Sequence, residues 1–148
     1  TVCSGGDDKT VRLWNGTTGA SSQVMRGHSR PVYAVDFSAD TSLVYSGSMD
    51  YSIKEWCVTS GECLRTLLGH TNWVYSVCLS ADGQCLYSGS ADKTVGVWDL
   101  KEGSLVRRME GHTYWVYSVC KLGKNIVSGS GDNTIKVWDP STGECVGT

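Results

Sequence analysis

The 148-residue chain contains no stretch approaching 18 consecutive apolar residues, no run of like charge and no Cys-x-x-Cys pair. The first absence leaves no candidate for a membrane-spanning helix. The second argues against nucleic acid or an anionic membrane as a direct partner, because both call for clustered cations. Here 13 Lys and Arg are scattered among 15 Asp and Glu, for a net charge of −2. The third removes the spacing expected of zinc or redox sites, so neither a metal nor another cofactor is expected. The seven cysteines (Cys3, Cys57, Cys63, Cys78, Cys85, Cys120 and Cys145) are odd in number. They point to a reducing compartment, cytoplasm or nucleus, and most lie in apolar runs where free cysteine acts as a small buried hydrophobe. The opening residues, TVCSGGDDKTVRLW, lack the charged-then-apolar layout of a signal peptide, and they begin without Met, which leaves room for an upstream segment. Asn15-Gly16-Thr17 has the form of a glycosylation acceptor but reads more simply as an Asn-Gly turn.

What the chain does have is 40% hydrophobic residues, enough for a core, and a strong internal period. Gly-His pairs fall at Gly27-His28, Gly69-His70 and Gly111-His112, 42 residues apart. Trp14, Trp56, Trp98 and Trp138 close the units at intervals of 42, 42 and 40. Between them recur CSGGDDKTVRLW, YSGSMDYSIKEW, YSGSADKTVGVW and VSGSGDNTIKVW, each with an Asp six residues before the Trp. The shortening in the last unit falls between Cys120 and Ser128, where a turn tolerates it.

Short runs of Val, Tyr, Ile and Trp cut by Asp, Gly and Ser read as strands, not helices. In the third unit the expected strands are Trp73 to Leu79, Gln84 to Ser90, Thr94 to Asp99 and Ser104 to Met109, joined by hairpin-length turns. Each unit is therefore expected to be a four-stranded antiparallel sheet, with fifteen strands in all. The valines of the VYSV-type segments (Val32 and Val35, Val74 and Val77, Val116 and Val119) are three apart, so a period of two would send them to opposite faces. A β-bulge between them repairs the register and re-aims Tyr33, Tyr75 or Tyr117. Arg26, Arg65, Arg107 and Arg108 sit on the last strand of their units, where charge would guard an edge against pairing; phosphate binding is the lesser alternative.

Gly-His, then Ser-Gly-Ser-x-Asp, then Trp-Asp at this period resembles the WD-repeat family of β-propellers, over essentially the whole chain. The resemblance implies an all-β propeller with blades at approximately 1–26 (partial), 27–68, 69–110 and 111–148. It also implies internal hydrogen-bond tetrads at His28, Ser46, Asp50 and Trp56; at His70, Ser88, Asp92 and Trp98; and at His112, Ser128, Asp132 and Trp138. Burying an imidazole, a carboxylate, a hydroxyl and an indole is tolerable only if each finds a partner. A His-Asp-Ser set also fits a catalytic triad, yet three copies at a fixed period fit a structural role better. The first unit has Gly6 where the others have a second Ser, which makes Ser4, Ser46, Ser88 and Ser128 the tetrad hydroxyls. The Asp after Trp stands only at Asp99 and Asp139.

Family members often bind partners on the top rim near the central channel. Carried over position by position, that rim is Tyr33, Pro31 and Met49; Tyr75, Trp73 and Ala91; and Tyr117, Trp115 and Gly131. Five of these nine are aromatic, the residue types that supply binding hot spots, and only Arg30 brings charge nearby. The alternative is that Trp73 and Trp115 only roof their blades while Tyr75 packs on a neighbour. The resemblance thus implies a non-enzymatic scaffold or substrate-recognition module for a peptide or protein segment. A propeller hydrolase with a central-channel site is the other class, and it would need paired carboxylates or a metal cluster; Asp36 has no obvious acidic partner. The first unit starts at its second strand and the last stops short of a further Gly-His. A segment of a seven-bladed ring is therefore expected, with a closed four-bladed ring or self-association into eight blades as the alternatives.

Overall fold

The computed structural model covers residues 1–148 and consists of fifteen strands: β1 (Val2–Gly5), β2 (Thr10–Trp14), β3 (Ser21–Arg26), β4 (Val32–Phe37), β5 (Leu43–Ser48), β6 (Ile53–Cys57), β7 (Cys63–Leu67), β8 (Val74–Leu79), β9 (Cys85–Ser90), β10 (Val95–Asp99), β11 (Ser104–Met109), β12 (Val116–Leu122), β13 (Asn125–Ser130), β14 (Ile135–Trp138) and β15 (Cys145–Gly147). They form four antiparallel meanders, one of three strands (β1-β2-β3) and three of four (β4 to β7, β8 to β11 and β12 to β15). The third unit's first three strands begin one residue later than the sequence suggests, with Trp73, Gln84 and Thr94 just outside them.

The sheets stack side by side as blades, with β4, β8 and β12 packed next to one another. Each contact between blades repeats one design. A glycine on the second strand of one blade leaves room for a valine of the next, so that a Cβ on Gly5, Gly47 or Gly89 would lie 2.5, 2.7 or 2.9 Å from Val32, Val74 or Val116. Fully buried Val11, Ile53 and Val95 fill the same three junctions, and Trp56, Trp98 and Trp138 anchor one core cluster each. Polar ties follow the same direction: Asp36 Oδ2 accepts from the Leu79 amide at 2.9 Å, and Ser76 Oγ from the Val119 amide at 3.1 Å. Asp36 therefore links two blades. On the fourth blade the corresponding face is open, with Ile135 63% exposed and nothing within 4 Å of a Cβ on Gly129.

Two of the sequence expectations need correction. No cysteine is fully buried: Cys3, Cys57, Cys78 and Cys85 are partly covered, and Cys63, Cys120 and Cys145 are exposed. Apolar neighbours in a strand alternate in face, so lying within such a run does not bury a thiol. Arginines of the outer strands do more than guard an edge. Arg65 pairs with buried Glu55 at 2.6 Å and also reaches the Lys101 carbonyl of the next blade at 3.4 Å. Arg107 donates to the Thr142 and Ser141 carbonyls at 2.8 and 3.0 Å, and Arg108 donates to the Gly69 carbonyl. Gln23, at the same repeat position as Arg65 and Arg107, donates to the Ser60 carbonyl at 3.0 Å. A long donor on the outer strand thus ties each of the first three blades to the turn of the next.

Candidate functional site

Each four-stranded blade carries a bulge at the start of its first strand. Pairing jumps from Val32 to Ala34, from Val74 to Ser76 and from Val116 to Ser118, leaving Tyr33, Tyr75 and Tyr117 unpaired. The extra residue turns each tyrosine out of its own sheet and toward the tyrosine of the next blade. Their ring centroids stand 5.4 Å apart for Tyr33 and Tyr75, and 5.2 Å apart for Tyr75 and Tyr117. Trp73 lies 6.1 Å from Tyr75 and 5.9 Å from Trp115, which in turn lies 6.0 Å from Tyr75. Tyr114 completes the group, stacked on Trp115 at 5.1 Å.

The aromatic surface is therefore continuous over three blades. Tyr33 and Tyr117 are 44% and 47% exposed, Tyr114 is exposed as well, and Trp73, Tyr75 and Trp115 are half-buried among them. Tyr75 and the two tryptophans pack on neighbours and still present area to solvent. Burial and the phenols of Tyr117 and Tyr33 raise the Tyr75 pKa, so the phenol stays neutral.

The remaining rim positions act as supports. Amides of Met49, Ala91 and Gly131 donate to the carbonyls of Pro31, Trp73 and Trp115 at 2.9, 2.8 and 3.0 Å, fixing the loop before each bulge against the turn opposite. Ser48 and Ser130 hydroxyls add bonds to the Pro31 and Tyr114 carbonyls at 2.8 and 3.1 Å. Ala91 is buried, so it is floor and not contact surface. Gly131 is needed where it stands, because a Cβ there would lie 2.6 Å from Tyr114 and 3.0 Å from Tyr117. On the first of these blades Met49 and Pro31 remain partly open, with the Tyr33 hydroxyl 3.7 Å from the Met49 sulfur. Tyr114 is the rim residue that position-by-position reading missed; its repeat equivalents are Arg30 and Asn72, so only its place beside Trp115 could have pointed to it.

Beneath the rim, the three polar sets have the same geometry. Histidine Nδ1 lies 2.8, 2.7 and 2.8 Å from Asp50, Asp92 and Asp132, and Nε2 lies 2.7, 2.6 and 2.7 Å from Ser46, Ser88 and Ser128. Indole N–H groups of Trp56, Trp98 and Trp138 each donate to the same serine at 2.7 Å. The chain closes in one sense only: indole to serine oxygen, serine hydroxyl to a neutral imidazole Nε2, and Nδ1–H to the carboxylate. Burial lowers the His28 pKa against the pull of Asp50, in keeping with a neutral ring. Asp50 is held at about 2: burial opposes ionisation, but Ser52, His28 and the Ser29 amide outweigh it. The serines have no exposed surface, so no substrate can reach their hydroxyls. In the first blade Trp14 donates to Ser4 at 2.9 Å, which identifies the hydroxyl there too.

The family comparison agrees with this geometry. The family model described as WD domain, G-beta repeat (WD40) matches residues 1–15, 19–57, 61–99 and 103–139. The chain belongs to the WD40 repeat family. Each of the last three matched WD40 repeats begins before the outer strand of one sheet and ends at the third strand of the next, so sequence repeats and blades are offset. WD40 repeats generally serve as protein-interaction scaffolds and are typically non-catalytic. A search of the curated proteins finds no match to the chain. The structure gathers no group of three or more His, Cys, Asp or Glu side chains able to hold a metal ion.

Proposed function

We propose that this chain is a scaffold or substrate-recognition module that captures a peptide or protein segment across the aromatic rim. The observation that carries the reading is the continuous group formed by Tyr33, Trp73, Tyr75, Tyr114, Trp115 and Tyr117, with neighbouring centroids 5.1 to 6.2 Å apart. Rigid aromatic area with a hydroxyl or indole handle gives much contact energy at little entropic cost. A segment with an apolar or arginine anchor suits such faces, the cation drawn to the rings. The seven free thiols fit a cytoplasmic or nuclear setting.

Selection from a displayed peptide library, followed by titration of the selected peptides, tests the rim. Tyr75→Ala with Trp115→Ala is expected to abolish binding while circular dichroism still reports a folded β protein. Tyr33→Ala with Tyr117→Ala, at the more exposed positions, is expected to weaken the same peptides with less effect on stability. Undiminished affinity in both double variants would place the binding surface elsewhere.

A further inference from the structure

The aromatic rim offers hydrogen-bond donors that nothing in the protein takes up. The indoles of Trp73 and Trp115 can only donate, and neither has a partner. Trp73 is held through its backbone amide and carbonyl, and Trp115 through its carbonyl. The hydroxyls of Tyr75, Tyr114 and Tyr117 are unpaired as well, and that of Tyr33 meets only the Met49 sulfur, at 3.7 Å. Acceptors beneath the rim are committed. In Asp50, Asp92 and Asp132 one carboxylate oxygen holds the amide two residues on. The other faces histidine Nδ1 and the amide of Ser29, Thr71 or Thr113. No charged side chain belongs to the group, and Arg30 takes the repeat position of Tyr114.

Such a surface calls for a ligand rich in acceptors, poor in donors and without charge. An ordinary extended peptide brings as many N–H as C=O groups, and a guanidinium or ammonium anchor brings donors alone. A proline-rich segment departs from that balance in the required direction. Each proline keeps its carbonyl and lacks an N–H, and a polyproline II helix has no internal hydrogen bonds, so every carbonyl is available. Its rings are apolar and already ordered, so burying them on aromatic faces costs little further entropy.

Geometry agrees with this chemistry. Trp73 stands at 87° to Tyr75, and Trp115 at 82° to Tyr117, so each of these blades presents an aromatic corner that a pyrrolidine ring can occupy. The tyrosines of three successive blades step by 5.4 and 5.2 Å. Two such steps are of the order of one polyproline II turn, about 9 Å for three residues. We propose that the rim binds a proline-rich segment of a partner protein in polyproline II form. Prolines three apart lie along the tyrosine ladder, and the segment's carbonyls accept from the indoles and phenols. The inference rests on the rim being the binding surface and narrows its occupant to one class.

Three blocked ten-residue peptides, titrated into the ¹⁵N-labelled full chain, test it: decaproline, a Gly-Ser peptide with two leucines and a Gly-Ser peptide with two arginines. Decaproline is expected to shift the Trp73 and Trp115 indole resonances saturably while those of Trp14, Trp56, Trp98 and Trp138 stay in place. The other two should bind at least tenfold more weakly. Tyr117→Phe, which keeps the ring and removes an exposed hydroxyl, should weaken decaproline about fivefold through one lost hydrogen bond. Decaproline that leaves both indoles in place, or that binds Tyr117→Phe undiminished, overturns the inference. Tighter binding of the leucine or arginine peptide at the same indoles also overturns it, while leaving the rim as the binding surface. If library-selected peptides bind the Tyr75→Ala, Trp115→Ala chain undiminished and no probe moves Trp73 or Trp115, the rim reading falls and this inference with it.

Discussion

The tetrads and the rim come from the same repeat, yet they tolerate variation very differently. At the tetrad positions all three complete sets have the same four residue types, and corresponding distances agree within 0.1 Å. At the rim only the bulge tyrosine is constant; the position two residues before it is Pro31, Trp73 or Trp115, and the one before that is Arg30, Asn72 or Tyr114. A buried polar chain leaves no latitude, because every member that changes strands its partner in a low-dielectric interior. An exposed surface has no such obligation. Variation there changes the exposed surface without altering the blade.

Two tryptophans put the contrast at its widest. Trp98 is fully buried and donates to Ser88, whereas Trp115 is half-buried and packs among rim rings. Trp98→Ala is expected to cost about 3–5 kcal/mol of unfolding free energy, through the cavity and the stranded serine. Trp115→Ala is expected to cost about 1–2 kcal/mol while removing most peptide binding. Urea unfolding of the two variants measures the difference. Equal losses would mean that the rim is core in disguise.

Acid should also separate the two regions. Burial holds the His28 pKa below its ordinary 6.5, so the unfolded chain binds more protons and the contribution of a neutral His28 is complete above that value. It is lost as pH falls through the lowered folded pKa. Asp50, held at about 2, contributes fully above about pH 4 and loses that contribution as pH drops toward 2. Asp92 and Asp132 are lowered as well and add in the same direction. The melting temperature should therefore be level above neutrality, decline below pH 6.5 and fall more steeply below pH 4. Asp50→Asn should blunt the lower step. Peptide affinity at the rim, where burial raises the Tyr75 pKa and keeps that phenol neutral, should stay flat from pH 6.5 to 8.5.

Between blades, two glycines offer a smaller and cleaner contrast. Gly89 and Gly129 occupy the same place in successive blades, but a Cβ on Gly89 meets Val116 at 2.9 Å and a Cβ on Gly129 meets nothing. Gly89→Ala should destabilise by about 1–3 kcal/mol through overpacking. Gly129→Ala should be neutral or stabilise by up to about 1 kcal/mol, through lost freedom of the unfolded chain. Thermal melts of both variants decide it. A large loss at Gly129 would show that its face is covered in solution.

Much of this architecture was legible in the sequence because it repeats. The fifteen strands and the first-strand bulges follow from Trp and Gly-His spacing and from valines three apart. What escaped was whatever depends on a neighbouring blade. The reach of Arg65 and Arg107 across a junction has no trace in their own strands, and neither does the floor role of Ala91. A second bulge on each outer strand, at Ser22, Leu64, Val106 and Val146, also went unread. It exposes Leu64, Val106 and Val146, and no period-two pattern announces it. Within the rim, the stacking of Tyr114 on Trp115 required a fold to bring two adjacent residues face to face.

The smallest effect concerns one residue that breaks the repeat. At the turn after the third strand, Asn15 accepts amides of Thr17 and Thr18, Asp99 those of Lys101 and Glu102, and Asp139 that of Ser141. Cys57 stands at the same position, its thiol pKa lowered by the Ser60 hydroxyl and by the Ser60 and Thr59 amides. The turn thus presents donors that suit a side-chain oxygen better than a neutral thiol. Cys57→Asp should raise stability by about 0.5–1 kcal/mol and leave rim binding unchanged, because the turn lies at the opposite end of its strand from the tetrad turn. A loss of stability in that variant would show that the turn of the second blade is shaped around sulfur, and that the repeat does not impose one cap chemistry on every blade.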